Sequence, residues 1–416
     1  PATPAHRPPV RTNSQGRRTG ALDCSRIRPG FSRVHAVRDR RPVADKSFHC
    51  RWPCVRAEKI NADMSTTLPA SLDLHNVDIH VGQREVLRKL DLQILPGELF
   101  VIFGNTGAGK STLLRAITGL DPIHAGEIWV DDKQITHTRI QQRGTVLMQP
   151  GFPLWPTFTS AGNIAFALRY RRVSRRERHA RTENLLAAMG LEEFANHLPG
   201  QLAPSQRQRV AFARSLAVEA PITLLDEPFG AQDPQRRERL MMYLKALHEQ
   251  TGRTFVVATD DPNQAMRLAD RIAVLHDGEV AQVGTPRELY TAPISRHVAT
   301  LLGRANLIAG EIEIVGEQPL FRSENGLVIP LFERKLKRAR QGWAMFRPHD
   351  LSLIDRHDEP FDDLIRLSGR VVETEFLDGA NRYVVDVAGT HLWLDQPCSE
   401  NQQLLQLGDP VVVGLD

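Results

Sequence analysis

The stretch Gly104-Asn105-Thr106-Gly107-Ala108-Gly109-Lys110-Ser111-Thr112 decides how this chain folds. It follows an apolar run at 99–103 that predicts a buried strand, and apolar residues at helical spacing come after it until Gly119. A glycine-rich turn between a strand and a helix is the context that the phosphate-binding loop G-x-x-x-x-G-K-[ST] requires. Glycines let successive N–H groups face a phosphate, and the helix N-terminus adds its positive dipole end.

The whole stretch from Gly104 to Thr112 is therefore predicted to bind the phosphates of a nucleoside triphosphate. Lys110 is predicted to reach the β- and γ-phosphates, and the Ser111 hydroxyl is predicted to be a ligand of Mg²⁺. The alternative is a structural glycine turn. At average residue usage the bare pattern arises by chance in roughly one chain in a hundred of this length. A chance match is therefore a poor explanation of this stretch.

Two acidic residues end a second predicted strand, the apolar run at 222–225. Ligands of open α/β sheets bind at the carboxyl ends of the strands, where Asp226 and Glu227 are expected to lie. Asp226 is predicted to hold Mg²⁺ directly or through water, and Glu227 to polarise the water that attacks the γ-phosphate. Strands often end in Asp, so this run alone is weak evidence for a metal site. It is informative here because a phosphate-binding loop precedes it.

The remaining pattern predicts a parallel core sheet with added subdomains. Residues 71–95 alternate as short antiparallel strands, and another strand and turn are expected over 126–132. Residues 163–197 have helical periodicity with an arginine-rich surface. The apolar runs 254–258 and 271–275 predict two buried strands with a helix between them, and such alternation favours parallel strands.

After Gly303 the pattern changes to short strands, for example at 310–314, 369–372 and 383–387. Asp378-Gly379 is typical of a hairpin turn. The sequence therefore predicts an all-β module, a small barrel, at the C-terminal end.

Charge divides the 416 residues unevenly, although the net charge is only +4. Residues 1–63 carry 14 Lys and Arg against 5 Asp and Glu, a net charge of +9, and the rest carries −5. This segment has few apolar residues at any period and is predicted to be disordered. It is basic enough for nucleic acid or anionic lipid, but a solvated tail is the favoured interpretation and no nucleic-acid partner is expected.

The N-terminal segment leaves two hypotheses open. Residues 1–63 are either a trimmed N-terminal extension or sequence read upstream of the true start, with Met64 as that start. The second is favoured because the segment has no apolar stretch typical of a signal peptide. Three of the four cysteines lie in it, and Cys398 alone remains in the folded part, which fits a reducing compartment and no disulfide framework.

Several motifs in order make the chain resemble the ATP-binding subunits of ABC transporters, and more narrowly the importer subunits with a C-terminal TOBE domain. The resemblance covers nearly all of residues 70–416. Gly104–Thr112 matches the Walker A loop, and Leu224–Pro228 matches Walker B with its catalytic glutamate. The other matches are the Q-loop at 146–149, the helix after the signature motif at 206–214, the end of the ATPase domain at 270–272 and 282–290, and the arginine–proline segment of the TOBE region at 346–350.

The resemblance implies an α/β fold, a P-loop NTPase (ABC ATPase) core with antiparallel β and helical subdomains. This core is expected at 64–303, followed by a TOBE-like β-barrel at 304–416. It also implies ATP and Mg²⁺ as cofactors. Gln149 joins Ser111 and Asp226 as a predicted Mg²⁺ ligand, and the predicted catalytic residues are Lys110, Gln149 and Glu227.

The same resemblance implies the partners. Two ATPase subunits would face head to tail and enclose ATP, as a homodimer or as a dimer with a second ATPase subunit. They would serve membrane permease subunits and a solute-binding protein, and lie peripherally on the cytoplasmic face of the inner membrane.

Four motifs depart from the family pattern. The signature L-S-G-G-Q is Leu202-Ala203-Pro204-Ser205-Gln206 here, which removes a hydroxyl and an N–H group. Asp260 stands where a histidine should follow Thr259, and an ionised carboxylate cannot donate to a phosphate. The aromatic residue expected to stack on adenine is Val81, and only the neighbouring His80 offers a ring. The D-loop has a milder change, Gln232 for leucine.

These departures leave two hypotheses for the function. The first is the motor subunit of an importer, which couples binding and hydrolysis of Mg-ATP to transport by separate permease subunits. The second is a hydrolysis-impaired regulatory subunit that acts by nucleotide binding alone. Losing one positioned proton-handling or charge-stabilising group typically costs about 10²–10⁴-fold in rate.

Overall fold

A computed structural model describes residues 68–170, 172–230, 232–315, 318–331, 340–354, 365–377, 379–398 and 404–415. The predictions for residues 1–63 and for Met64 lie outside these ranges, as do Ala231 of the D-loop and Asp378 of the hairpin. No helix of the described ranges is both long and apolar enough to span a bilayer.

The core is a six-stranded sheet made of β3 at Leu99–Phe103, β6 at Thr145–Met148, β7 at Ile222–Asp226, β8 at Thr254–Thr259, β9 at Arg271–His276 and β10 at Glu279–Gly284. The strand order is β10-β9-β3-β8-β7-β6, and adjacent strands are parallel except β10 and β9, which pair antiparallel at one edge. All residues of β3, β7 and β8 are buried, as expected for parallel strands covered on both faces. The predicted parallel sheet is therefore present.

Alternate residues of β3 enter two different cores, because successive side chains of a strand point to opposite faces. Phe100 and Ile102 pack with helix α1 (Lys110–Thr118) and with a four-stranded antiparallel sheet. This second sheet has the order β2-β1-β4-β5 and confirms the predicted antiparallel strands. Its strands are β1 at Leu72–Val81, β2 at Arg84–Ile94, β4 at Ala125–Val130 and β5 at Lys133–Gln134.

The other face of β3, which carries Val101 and Phe103, belongs to the second core, to which the helices of the ATPase-like part also contribute buried residues. These are α2 at Ser160–Tyr170, α3 at Arg175–Ala188, α4 at Pro204–Ala217, α5 at Pro234–Thr251, α6 at Pro262–Leu268, α7 at Pro286–Thr291 and α8 at Arg296–Leu301.

The predicted helical region 163–197 is two α-helices rather than one. Arg172 has φ +59°, and Ser174 caps α3 by accepting a hydrogen bond from the Glu177 N–H. The apolar period continues across this break because Leu168 of α2 and Leu186 of α3 enter the same core. Periodicity alone does not reveal such a break.

The C-terminal part is strand-rich and compatible with the predicted barrel. Two antiparallel sheets, β13-β12-β11-β14 and β15-β19-β16-β17-β18, share one core, to which Phe321 and Tyr383 both belong. The strands are β11 at Asn306–Val315, β12 at Gln318–Ser323, β13 at Val328–Pro330, β14 at Arg340–Phe346, β15 at Leu351–Ile354, β16 at Ile365–Leu377, β17 at Ala380–Val387, β18 at Thr390–Pro397 and β19 at Pro410–Leu415.

Arg347, in the arginine–proline segment, connects this part to the preceding helices. The residue is 2% exposed, and its guanidinium donates to the carbonyl groups of Tyr290, Ala299, Gly303 and Arg304. Burial lowers the pKa of this guanidinium, and the carbonyl oxygens compensate its charge. The segment therefore has a structural role at the junction, while the domain boundary at 303 stays a prediction.

Candidate functional site

Four parallel strands bring the predicted site residues to one edge of the core sheet. Gly104 follows β3, Asp260 follows β8, Glu227 follows β7 and Gln149 follows β6. The register makes them neighbours, because Phe103 pairs with Thr259 and the Asp226 and Gln149 positions continue the β7–β6 pairing. Residues from four distant parts of the chain thus surround one place at the carboxyl ends of the strands, where open α/β sheets bind ligands.

The glycine-rich loop has the strand–turn–helix geometry that its sequence predicts. Helix α1 begins at Lys110, directly after Gly109, and ends at Gly119 with φ +80°. Gly109 has φ +99°, and a Cβ there would lie 2.7 Å from Cδ2 of Leu87. Both the backbone conformation and the packing therefore require glycine at this position.

Lys110 is held inside its own loop. Its side chain is 4% exposed, and Nζ donates to the carbonyl groups of Gly104 at 2.7 Å and Asn105 at 3.0 Å. Burial lowers the pKa of the ammonium group, and the negative charges of Asp260, Glu227 and Asp226 oppose that shift. The loop thus carries one positive charge that faces three carboxylates.

Asp226 is a buried carboxylate in need of a partner. It is fully buried, and neither oxygen accepts a hydrogen bond of normal geometry within the described residues. Burial raises the pKa of this carboxyl, while the nearby Ser111 hydroxyl lowers it. Leaving a buried carboxylate unpaired is costly, and a bound cation would remove that cost.

This donor set fits Mg²⁺. The Ser111 hydroxyl, the Asp226 carboxylate and the Gln149 amide all offer oxygen, which Mg²⁺ prefers. No group of three or more His, Cys, Asp or Glu side chains able to hold a metal occurs in the described part of the chain. Mg²⁺ commonly uses one or two carboxylates together with substrate phosphates, so the small number of carboxylates agrees with this metal.

Glu227 is in an unfavourable backbone conformation. Its φ is +47°, a region that side chains with a Cβ rarely adopt and that costs of order 1–3 kcal/mol. The Glu227 N–H donates to the carbonyl of Ala258 at 3.0 Å, which fixes the residue to the end of β8. No sequence pattern predicts this strain, and such strain clusters at functional sites.

Asp260 contacts the phosphate-binding loop directly. Its Oδ2 accepts a hydrogen bond from the Thr106 hydroxyl at 2.9 Å. Its neighbour Asp261 is engaged elsewhere, since it caps helix α6 and forms an ion pair with Arg237 at 3.5 Å. The sequence identified Asp260 as a departure but not its partner, because Thr106 lies 154 positions away.

The altered signature segment forms the beginning of α4. Ala203 precedes the helix, and Pro204 occupies its first position, where a missing N–H costs the helix nothing. The Ala203 N–H donates to the Gln206 side chain at 2.7 Å. The substitutions therefore suit the helix locally, while they remove donors that the family presents at this helix end.

Gln149 lies beside a cavity of about 480 Å³. Trp155, Phe166 and Arg214 also line it, and the Arg214 guanidinium lies 4.7 Å from the centre of the Trp155 ring. Trp155 and Phe166 remain partly exposed. No local sequence pattern predicts this cavity, because its lining comes from β6, α2, α4 and the loops between them.

His80 is not free to serve as a platform for adenine. Its ring stacks on His124 with centroids 4.3 Å apart, and Nε2 lies 3.8 Å from the Glu85 carboxylate. Val81 is 57% exposed. The position that the family fills with an aromatic ring therefore has no ring of its own.

We expect Val81→Tyr to strengthen ATP binding about tenfold, because base–aromatic stacking contributes about 1–3 kcal/mol. Titration of the variant with ATP measures this effect. Inorganic triphosphate, which has no base, should bind the variant and the original chain equally, and Val81→Leu serves as the aliphatic control. An equal gain for inorganic triphosphate would show that stacking is not the cause.

Comparison with known proteins agrees with these motifs. Residues 87–230 match the family described as ABC transporter. The sulfate/thiosulfate import ATP-binding protein CysA of Gloeobacter violaceus is 37% identical over 283 residues, which cover 68% of this chain and 77% of that protein. The spermidine/putrescine import ATP-binding protein PotA of Nitrosomonas europaea is 32% identical over 353 residues, 83% of this chain and 96% of that protein.

A solved dimeric ATP-binding cassette, in a post-hydrolysis state with ADP and Pi, is 35% identical to the chain. The match covers 52% of this chain and 99% of the cassette, with a TM-score of 0.49.

Proposed function

The chain belongs to the ATP-binding proteins of ABC transporters, and from this we propose that it is the ATPase subunit of an importer. It binds ATP and couples binding and hydrolysis to solute transport by separate membrane permease subunits. The observation that carries the proposal is the edge of the core sheet, where the glycine-rich loop, the unpaired Asp226 carboxylate and the strained Glu227 meet.

Each residue of this edge has a proposed role. The loop from Gly104 to Thr112 binds the phosphates through its N–H groups, and Lys110 neutralises the β- and γ-phosphates. Ser111, Asp226 and Gln149 hold Mg²⁺, which supplies charge neutralisation at the phosphates. Glu227 orients and polarises the attacking water.

The partners follow from the same proposal. Two such subunits, as a homodimer or with a second ATPase subunit, lie peripherally on the cytoplasmic face of the inner membrane. The cavity beside Gln149 is the proposed contact for the permease, because it adjoins the nucleotide site and exposes Trp155 and Phe166. A solute-binding protein delivers the solute to the permease.

A second function is supported by specific observations. Pro204 at the start of α4 and Asp260 against the loop both remove donors to the γ-phosphate. A regulatory subunit that acts by binding ATP, with little hydrolysis, would tolerate both.

The subunit arrangement can be tested by mass. Glu227→Gln keeps the side-chain shape and removes the base, so we expect it to accumulate as a dimer with Mg-ATP and to stay a monomer with Mg-ADP. The reason is that the γ-phosphate is the group that two subunits share. Light scattering after size-exclusion chromatography measures the mass, with the exposed Glu249→Gln on α5 as the matched control. The mass of one chain under every condition would contradict the arrangement.

A further inference from the structure

The hydrogen bond between Thr106 and Asp260 joins the phosphate-binding loop to the end of β8. The Thr106 hydroxyl donates to Oδ2 of Asp260 at 2.9 Å, and both residues are exposed at the mouth of the loop. No other element of the described chain provides Asp260 with an arginine or histidine partner. Lys110, in the phosphate-binding loop, is the cation on which the charge of Asp260 acts.

The negative charge of Asp260 also raises the pKa of the Lys110 ammonium. Among the three carboxylates that act on the Lys110 ammonium, the effect of Asp260 is the largest. Lys110 is the group expected to hold the β- and γ-phosphates. The charge of Asp260 therefore acts on the phosphates that Lys110 would hold, and a triphosphate would bring one more charged phosphate there than a diphosphate.

Coulomb repulsion makes this proximity selective. A diphosphate ends before the γ position, whereas a triphosphate brings its terminal charge toward Asp260.

On the basis of the proposed function, we infer that Thr106 and Asp260 form a latch that disfavours the γ-phosphate, so that the free subunit binds nucleoside diphosphate in preference to triphosphate. The latch is a specificity device of this chain, since it depends on a carboxylate at position 260. The hydroxyl of Thr106 sets its position, and the charge of Asp260 provides the discrimination.

The test measures dissociation constants for Mg-ATP and Mg-ADP by calorimetric titration. Asp260→Asn keeps an oxygen for the Thr106 hydroxyl and removes the charge, so the ratio of the ATP to the ADP constant should fall about tenfold. Affinity for ADP should change little. Thr106→Val releases the carboxylate and should lower the ratio by a smaller factor, and the exposed Asp132→Asn is the matched control.

Added salt gives a second readout, because screening weakens repulsion between exposed charges. The ratio for the original chain should fall as salt rises, and the ratio for Asp260→Asn should not. An unchanged ratio in Asp260→Asn would overturn the latch and leave the proposed function intact. A higher ratio in that variant would do the same, because it would indicate that Asp260 assists triphosphate binding through Mg²⁺. Failure of the original chain to bind either nucleotide would overturn both.

Discussion

Lys110→Ala is expected to abolish measurable binding of Mg-ATP. Hydrogen bonds to charged groups contribute about 1.5–3 kcal/mol each, and Lys110 is proposed to make one to each of the β- and γ-phosphates, in place of a bond to a loop carbonyl. Their loss predicts a weakening of more than about a hundredfold. The buried ammonium also donates to the carbonyl groups of Gly104 and Asn105, so the alanine variant loses the cation that organises the loop.

Titration with Mg-ATP measures the effect, with Lys245→Ala as the matched control. Lys245 is exposed on α5 and distant in sequence from the loop, so its loss should leave the affinity unchanged. Near-UV circular dichroism shows whether the tertiary packing of the Lys110 variant is retained. Equal nucleotide affinity in a folded Lys110→Ala chain would contradict the assignment of residues 104–112 as the phosphate-binding loop.

The core of the fold follows from local patterns. The P-loop NTPase fold is confirmed. The apolar runs predict buried strands, and every residue of β3, β7 and β8 is buried. The glycine spacing predicts the turn after β3, and helix α1 begins directly after Gly109. The carboxylates after β7 were predicted to lie at the ligand edge for the same reason. The carboxyl ends of parallel strands lie at one edge of the sheet, so residues that follow these strands are predicted to lie at the ligand site.

Other features depend on contacts that no local pattern encodes. The stacking of His80 on His124, the bond from Thr106 to Asp260 and the strain at Glu227 arise when distant segments meet. The break between α2 and α3 escaped prediction because both helices face one core. The individual roles of the site residues stay predictions until variants are measured.

Glu227→Gln is expected to lower steady-state ATP hydrolysis at least a hundredfold, because removal of a positioned general base typically costs about 10²–10⁴-fold. Glutamine preserves the size of the side chain and can adopt the same strained backbone, whose N–H is held by Ala258. Asp226, Ser111 and Lys110 are unchanged, so binding of Mg-ATP should persist. The loss should therefore appear in kcat rather than in nucleotide affinity.

The altered signature and Asp260 predict a low rate for the original chain, but a rate that depends on Mg²⁺ and on Glu227. The dependence of the rate on Glu227 distinguishes a working ATPase from a subunit that acts by binding alone. A subunit of the second kind has no hydrolysis for Glu227→Gln to remove.

Phosphate release from Mg-ATP by the original chain, by Glu227→Gln and by the control Glu249→Gln is the most direct measurement of the central claim. Mg²⁺-dependent release is expected from the original chain and from Glu249→Gln, with a loss of at least about a hundredfold in Glu227→Gln. Equal rates with and without the Glu227 carboxylate, or no Mg²⁺-dependent release by the original chain, would contradict hydrolysis at this site.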